Sequence, residues 1–342
     1  MLRSMYSGIS GMKVNQTKLD VIGNNIANVS TTAFKGSRAE FKDMLYQNAG
    51  YASNPSATKG GTNAKQVGLG AQLSSINKLM SQGNAMSTGR SLDLCVDGEG
   101  YLIVSAGAVT GSIGVDANTG GINGGDMTQT YYTRDGNLAL DENGSLLTAD
   151  GYRIMGYRID GATYDGNDGS NKITVADPNG TQADNAKAVD TNKLVPLSIP
   201  DSIRYTDANG TTSEQKVRSF TIGKDGLITV TLANGSRASI GQVAMAGFKN
   251  PEALNGVGGN LLQDGSNTGG AIARSGVDYT DKTKVGNSGG FGDFMQGALE
   301  ASNVDLTEQF TDMIVATRAF QASSKMISNG DEILQTITGL VR

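Results

Sequence analysis

Apolar residues recur at helical spacing over residues 1–28, and this pattern predicts an amphipathic helix. Four of them are seven residues apart in one column, and two others start an adjoining column, as at positions a and d of a heptad. Such a stripe needs a partner helix to cover it. Three asparagines then weaken the helix, and 29–36 is its predicted exit. The predicted stripe is Leu2, Met5, Ile9, Met12, Leu19 and Ile26.

The far end of the chain carries a longer stripe of the same kind. From Phe294 to Val341 there is no proline, and apolar residues fall at helical spacing. Asn303 or Ser302 is a candidate cap for this helix, and Asp305 in its first turn would favour the helix dipole. This second helix also needs a partner. Its predicted column is Leu306, Met313, Phe320, Ile327, Leu334 and Val341.

Between the two stripes the pattern changes to short alternating runs closed by turn dipeptides. The segments 91–104, 131–159 and 217–248 each contain such runs, joined by Asp-Gly or Asn-Gly. These dipeptides supply the positive φ angles that tight hairpins need. The sequence therefore predicts an α+β fold, with long N- and C-terminal helices pairing as a coiled coil and a mainly antiparallel β middle domain.

Polar, glycine-rich stretches indicate the boundaries between the helical ends and the β region. We expect such segments to connect the helical ends to the β region, and a further polar stretch to form an inserted small lobe or loop. The predicted division is a terminal helical domain at 1–47 and 291–342, connecting segments at 48–75 and 266–290, a β domain at 76–159 and 194–265, and an insertion at 160–193.

Composition argues against catalysis. The chain has no histidine, which removes the commonest general acid–base and the commonest metal ligand. Its single cysteine, Cys95, cannot form an intrachain disulfide. The net charge of −5 is mild and gives no indication of a nucleic-acid partner. We therefore expect no enzyme activity and no cofactor or metal site.

The remaining candidate sites have simpler explanations. Asp93, Asp97 and Glu99 surround a turn, but they lack the ligand spacing and late bidentate glutamate of a calcium loop. The glycines of 66–72 have no following phosphate-binding lysine, so a nucleotide loop is not indicated. Cys95 alternates with apolar residues in a predicted strand and has no histidine to activate it.

Three parts of the chain together resemble the bacterial flagellar rod and hook proteins. The segment 19–45 is similar to their asparagine-rich N-terminal signature, and 297–340 is similar to the matching tail. The β segments 91–104, 131–159 and 241–262 resemble their β domain, whereas 160–193 lies outside the match. The motif positions carried over are Asn24, Asn25, Asn28, Phe34, Asn303, Asp305, Arg318 and Phe320.

This resemblance implies a structural subunit that polymerises with copies of itself into a hollow helical tube. The terminal helices would pair as an inner layer, and the column residues would form the polymer interface. It also implies an extracellular place in the flagellum, reached through the flagellar export apparatus without a cleaved signal peptide. The implied neighbours are the rod, hook-cap and hook–filament junction proteins, with no nucleic acid and no membrane insertion.

Within the family, the chain resembles hook proteins first, because its β region is long and carries an insertion. The hook is a flexible joint that transmits motor torque to the filament. A distal rod protein is the alternative within the same family. From other classes, a secreted enzyme or an adhesin-like binding module stays open, and 160–193 is where a binding surface would sit. The polar stretches 48–70 and 266–292 are candidates for a compliant layer or for axial contacts.

Overall fold

A computed structural model describes residues 2–55, 59–116, 120–127, 129–158, 163–165, 172–175, 193–206, 212–274 and 292–340. The chain divides into two compact units. The first, here called the terminal unit, contains Met1–Ser30, Lys35–Ser81 and Asn303–Arg342. The second, the central unit, contains Thr31–Phe34 and Gln82–Ser302.

Two long helices form the frame of the terminal unit. Helix α1 spans Leu2–Ala27 and helix α2 spans Leu306–Leu340, as the two apolar stripes predicted. At 26 and 35 residues, they are about 39 and 52 Å long at 1.5 Å per residue. Neither helix in the described part of the chain is long and apolar enough to cross a membrane.

The start of α2 differs from the expected capping arrangement. Asp305 precedes the helix, and its carboxylate accepts a hydrogen bond from the Thr307 backbone N–H at 2.8 Å. Asp305 is therefore the N-cap, and neither Asn303 nor Ser302 takes this position. A carboxylate at this position satisfies a free N–H group and also interacts favourably with the positive end of the helix dipole.

Four strands complete the terminal unit, and two of them lie in a segment expected only to connect. They form two antiparallel pairs, β1 with β4 and β2 with β3. Much of the expected connecting segment 48–75 thus has regular structure and belongs to the terminal unit. The strands are β1 (Ser37–Asp43), β2 (Tyr46–Gly50), β3 (Lys65–Gly68) and β4 (Ala71–Lys78).

The central unit is built almost entirely from short strands, which confirms the predicted antiparallel β middle. Its strands are β5 (Ala85–Ser87), β6 (Leu94–Asp97), β7 (Tyr101–Ala106), β8 (Ile113–Val115), β9 (Ile122–Gly125), β10 (Gln129–Thr133), β11 (Leu138–Leu140), β12 (Leu146–Thr148), β13 (Arg153–Arg158), β14 (Thr163–Asp165), β15 (Lys172–Val175), β16 (Lys193–Pro196), β17 (Ser202–Thr206), β18 (Thr212–Ile222), β19 (Leu227–Leu232), β20 (Arg237–Val243), β21 (Met245–Gly247), β22 (Asn255–Gly258), β23 (Leu261–Gln263), β24 (Ile272–Arg274), β25 (Asp293–Gln296) and β26 (Ala298–Glu300). A short 3₁₀ helix, Pro251–Ala253, precedes β22.

Strand β13 is a centre of this sheet system, because it pairs with β7, β16 and β20. The meander β17–β18–β19–β20 continues from it. Among the described strands, one pair is parallel, β15 with β17. Strands β14 and β15 lie in the expected insertion 160–193, and β16 begins at its last residue, Lys193. The rest of that segment is outside the described residues.

Glycine turns close the hairpins as the dipeptides predicted. Gly226, in an Asp-Gly pair between β18 and β19, has φ +79°, and Gly144, in an Asn-Gly pair between β11 and β12, has φ +72°. A Cβ at Gly226 would lie 2.7 Å from the ring of Phe294, which is itself buried in the core. The turn therefore needs glycine both for its backbone conformation and for close packing.

The last strands return to the first strands of the central unit. Strand β25 pairs with β6, and β26 pairs with β5. Residues 291–302, expected to belong to the helical end, therefore belong to the central unit, and the division lies at Asn303. Cys95 in β6 is fully buried opposite Met295, consistent with the packing role expected for it.

Candidate assembly surface of the terminal unit

The two helices of the terminal unit pack against each other in antiparallel orientation. Met5 lies against Gly330, and a Cβ built there would be 3.1 Å from the Met5 side chain. One built on Gly8 would lie 3.3 Å from Ile327. Further along, the Lys18 ammonium pairs with the Asp312 carboxylate at 3.2 Å. The two helices thus run side by side over most of the length of α1.

The predicted column residues are not fully buried at the contact between the two helices. Most are half-buried, namely Met5, Met12, Leu19, Ile26, Met313, Phe320, Ile327 and Leu334. Ile9 and Leu306 are exposed. The side chain of Leu2 and the whole of Val341 lie outside the described residues.

Apart from Asn25, the buried positions among the described residues of the helix pair belong to two columns that the predicted stripes did not include. On α1 the second column is Gly8, Asn15 and Ile22, and Ile22 is 3% exposed. On α2 it is Gln309, Ala316, Ser323 and Gly330. Both are spaced by seven residues and sit beside the predicted columns at the spacing of a and d positions. Because every member except Ile22 is small or polar, a search for stripes of large apolar residues does not find these columns.

Two motif asparagines hold the helices to the strand β1 and to the end of β4. Asn25 is 2% exposed, and its amide donates to the Ser37 carbonyl at 2.8 Å and to the Gln309 side chain at 3.0 Å. Its oxygen accepts from the Ser37 N–H at 2.9 Å. An asparagine offers both donor and acceptor, so one side chain satisfies both backbone groups of Ser37.

Asn303 makes a matching connection just before α2. Its side-chain oxygen accepts from the Gly36 N–H at 2.8 Å, and its amide donates to the Leu79 carbonyl at 2.7 Å. Asn25 and Asn303, with their backbone partners, are called the asparagine junction below. Neither the pairing of these positions nor their shared target, the Gly36–Ser37 backbone, could be found from spacing in the chain.

The other motif residues have separate roles. Asn28 donates to the carbonyl of Asn24 at 2.9 Å and closes the end of α1. Arg318 donates to the Gln321 side chain at 3.1 Å on the exposed surface of α2. Phe34 is half-buried and belongs to the central unit. The motif therefore does not form one cluster.

A buried ion pair, which the sequence gave no reason to expect, lies in the central unit. The Arg134 guanidinium is 3.2 Å from the Glu300 carboxylate, and both side chains are almost completely buried. Glu300 also accepts from the Gly83 N–H at 2.8 Å, and its carbonyl accepts from the Ala33 N–H at 2.8 Å. Through the hydrogen bond from Gly83, Glu300 also joins the start of the segment 82–302 to its end.

Exposed apolar side chains are concentrated on the terminal unit. Besides Leu306, the described part of helix α2 exposes seven large apolar side chains, and the strand pairs expose another set. On α2 these residues are Phe310, Ile314, Val315, Met326, Ile333, Ile337 and Leu340. On the strands and the turns beside them they are Phe41, Leu45, Tyr46, Tyr51, Val67, Leu73, Ile76 and Leu79. Patches of this extent on a folded unit mark interaction sites.

The chain matches three protein-family models, each over a different part of its length. These are the flagella basal body rod protein at residues 5–35, the flagellar hook protein FlgE/F/G D1 domain at 121–230, and the flagellar basal body rod FlgEFG protein C-terminal region at 295–340. The first and last matches contain the two helices, and the second lies in the central unit.

Individual relatives carry the same names. The flagellar basal-body rod protein FlgG of Bacillus subtilis is 39% identical over 342 residues, covering 100% of both chains. The flagellar hook protein FlgE of Borreliella burgdorferi is 29% identical over 453 residues, covering 99% of this chain and 100% of the relative. Among solved structures, the Helicobacter pylori hook protein FlgE2 matches 63% of this chain at 11% identity with a TM-score of 0.47.

Paired terminal helices, an antiparallel β centre and the matches to the family models and to the rod and hook relatives define a structural protein of the bacterial flagellum. The chain belongs to the family of flagellar basal-body rod and hook proteins. This confirms the family that the sequence motifs indicated. The relatives include both rod and hook proteins, and the family consists of structural proteins.

Proposed function

We propose that this chain is a structural subunit of the flagellar rod, polymerising with copies of itself. The observation that carries the proposal is the 39% identity to a rod protein over the whole of both chains. The length of the β region, which favoured a hook protein at first, loses its force because this rod relative aligns over 342 residues. A β region of this length is therefore compatible with a rod subunit.

A hook subunit is the second candidate, and a specific observation supports it. Hook proteins of Borreliella burgdorferi and Treponema pallidum match 99% and 100% of this chain at 29% identity. Their alignments extend over 453 and 475 residues, so those hook proteins contain additional segments that this chain lacks. In that case the subunit would form the flexible joint that transmits torque to the filament.

The surface that we propose for polymerisation is the terminal unit. Its two helices would form a coiled-coil layer, with the predicted columns and the small-residue columns beside them as the intrachain seam. The exposed apolar side chains of α2 have no cover within the described chain, and neighbouring copies would bury them. A contact that repeats between different surfaces of identical subunits does not close, and it produces a filament.

Transmission of torque requires that the terminal helices be connected firmly to the strands around them. The asparagine junction supports this, because its side-chain hydrogen bonds link α1 to β1 and to the start of α2, and link Asn303 to Gly36 and to the end of β4. The proposed subunit is passive: it has no reaction to perform, and its activity is to assemble and carry load. Export through the flagellar apparatus, before folding, is part of the same proposal.

Deleting the gene and examining basal bodies separates the two candidates. A rod subunit is needed before a hook can be built, so cells lacking it should yield basal bodies with neither a complete rod nor a hook. A hook subunit should leave the rod complete. The measurement is electron microscopy of isolated basal bodies, with gold-labelled antibody to this chain in wild-type cells as the second readout.

Label on the curved segment outside the rod, together with complete rods in the deletion strain, would contradict the rod assignment and support the hook. Absence of label from every axial segment would contradict the structural role itself. Restoring the intact gene is the control for both results.

A further inference from the structure

The C-terminal end of α2 extends beyond the helix that covers it. Met5 of α1 lies against Gly330, and α1 begins at Leu2, so in an antiparallel pair α1 reaches only to about residue 333. The final residues of α2 therefore project by about 10 Å, at 1.5 Å per residue. We call residues 333–340 the overhang.

The overhang continues the apolar pattern of the covered part of the helix. Ile333, Ile337 and Leu340 are exposed, and Leu340 is 81% exposed. Leu334 belongs to the same column as Ile327, which packs near α1. A helix surface that is continuous with a packed interface, and equally apolar, is suited to a second partner of the same kind.

The strand pair β1–β4 exposes a second apolar surface of a different shape. Phe41 pairs with Leu73, and Ala39 pairs with Ile76. Paired residues share a face, and Ala39 and Phe41 are two apart on β1, so these four side chains lie together. A register shift between Glu40 and Phe41 accounts for the three-residue spacing of Leu73 and Ile76 on β4. Phe41, Leu73 and Ile76 are each more than one-third exposed. We call these four residues the sheet patch.

Charge also makes the two surfaces complementary. Asp331 and Glu332 stand at the base of the overhang, and no Lys or Arg lies between them and Leu340. Strands β1 and β4 carry three cations, Arg38, Lys42 and Lys78, against two anions. Opposite charge around two apolar surfaces steers their encounter and fixes their orientation.

We propose that the overhang of one copy binds the sheet patch of another copy. This inference rests on the proposed polymerisation and specifies which surfaces meet. The outer face of α1 is the less favourable target, since the large apolar side chains it exposes are Tyr6 and Ile9 alone among its described residues. Because the overhang and the sheet patch are different surfaces, each copy can bind one neighbour through its overhang and another through its sheet patch. The contact then repeats from copy to copy without closing.

Disulfide trapping in the polymer tests the contact directly. Purified full-length chain carrying Ile337→Cys and Ile76→Cys is polymerised from sheared basal-body seeds, sedimented and then mildly oxidised. The native Cys95 is fully buried and does not interfere. Since a disulfide needs Cα atoms within about 7 Å, a ladder of cross-linked multimers on a non-reducing gel is expected.

Two matched variants provide the controls. Ile337→Cys with Gln72→Cys places the second thiol on the opposite face of the same strand, and it should sediment but remain monomeric on the gel. Ile337→Cys with Ile9→Cys tests docking on α1 instead. A ladder from the α1 variant, or sedimenting polymers of the sheet-patch variant without a ladder, would overturn the inference and leave the proposed function intact.

Charge reversal gives a second, independent readout. If the acidic base of the overhang meets the patch, Ile76→Lys should be tolerated better than Ile76→Glu, and the critical concentration should be about tenfold higher for the glutamate variant. Equal critical concentrations would contradict the docking. Wild-type chain that never sediments with seeds would contradict the polymerisation itself, and the inference with it.

Discussion

Asn25 concentrates three hydrogen bonds in one buried side chain of the asparagine junction. Replacing it with alanine leaves both backbone groups of Ser37 without this partner. An unsatisfied buried polar group costs ~1–3 kcal/mol, so we expect Asn25→Ala to weaken the terminal unit by about 3 kcal/mol. Isolated polymers of the variant should dissociate at a lower urea concentration than wild type.

Asn24→Ala is the matched control for this prediction, because Asn24 is exposed at the neighbouring position of α1 and its side-chain oxygen accepts a solvent-exposed hydrogen bond from Asn28 rather than a buried one. Its polymers should dissociate near the wild-type urea concentration. Equal shifts for the two variants would mean that the hydrogen bonds of Asn25 are not responsible.

Glu300 is the buried partner of Arg134, and removing its charge leaves the guanidinium buried without compensation. We expect Glu300→Gln to lower the free energy of unfolding of the central unit by about 3–5 kcal/mol, the usual cost of breaking a buried pair on one side. The measurement is urea unfolding of the full-length chain, followed by near-ultraviolet circular dichroism of its tyrosines.

Glu99→Gln removes an equal charge from an exposed carboxylate nearby. It should leave the urea midpoint close to wild type. A large loss in both variants would point to net charge as the cause, and a small loss in both would remove the stabilising role assigned to the ion pair.

At the scale of elements, the β18–β19 turn gives a prediction with an internal control. Gly226→Ala places a methyl group in a left-handed conformation and 2.7 Å from the Phe294 ring. Strain and overpacking together should cost about 3 kcal/mol. Gly235→Ala also has a positive φ but has open space around it, so strain alone should cost about 1 kcal/mol.

Urea unfolding of the two glycine variants measures the difference. If Gly235→Ala proves as destabilising as Gly226→Ala, contact with Phe294 contributes nothing and only the backbone conformation matters. The comparison therefore separates the cost of the positive φ angle from the cost of the contact with Phe294.

The elements also show what the sequence could and could not predict. Apolar periodicity identified both helices, and the glycine dipeptides identified the hairpins, because each signal depends on local spacing. The centre of the helix pair was missed, because Gly8, Ala316 and Gly330 are buried by close approach and not by hydrophobicity. The Asn25–Ser37 and Arg134–Glu300 contacts were missed because they depend on folding that brings distant polar residues together.

For the whole molecule, the division into two units predicts that assembly and folding can be separated. Removing residues 306–342 deletes α2 and should abolish polymerisation, while the central unit remains folded and the chain monomeric. Polymerisation is measured by sedimentation with seeds. Folding is measured by the reaction of Cys95 with iodoacetamide, which its complete burial should prevent.

Removing residues 1–28 should have the same effect, because each helix needs the other to cover its seam. Truncated chain that still sediments as tubes would contradict the proposed role of the terminal helices. Rapid alkylation of Cys95 in the truncated but not the intact chain would show instead that the central unit depends on the helices for its stability.

The hydrogen bonds from the Gly83 N–H to the Glu300 carboxylate and from the Ala301 N–H to the Asn84 carbonyl mean that residues 82–302 of the central unit begin and end at adjacent points. The chain segment between these two points can therefore lengthen or shorten without separating its ends. Insertions or deletions in the central unit would therefore change its size and leave the positions of its two chain ends unchanged.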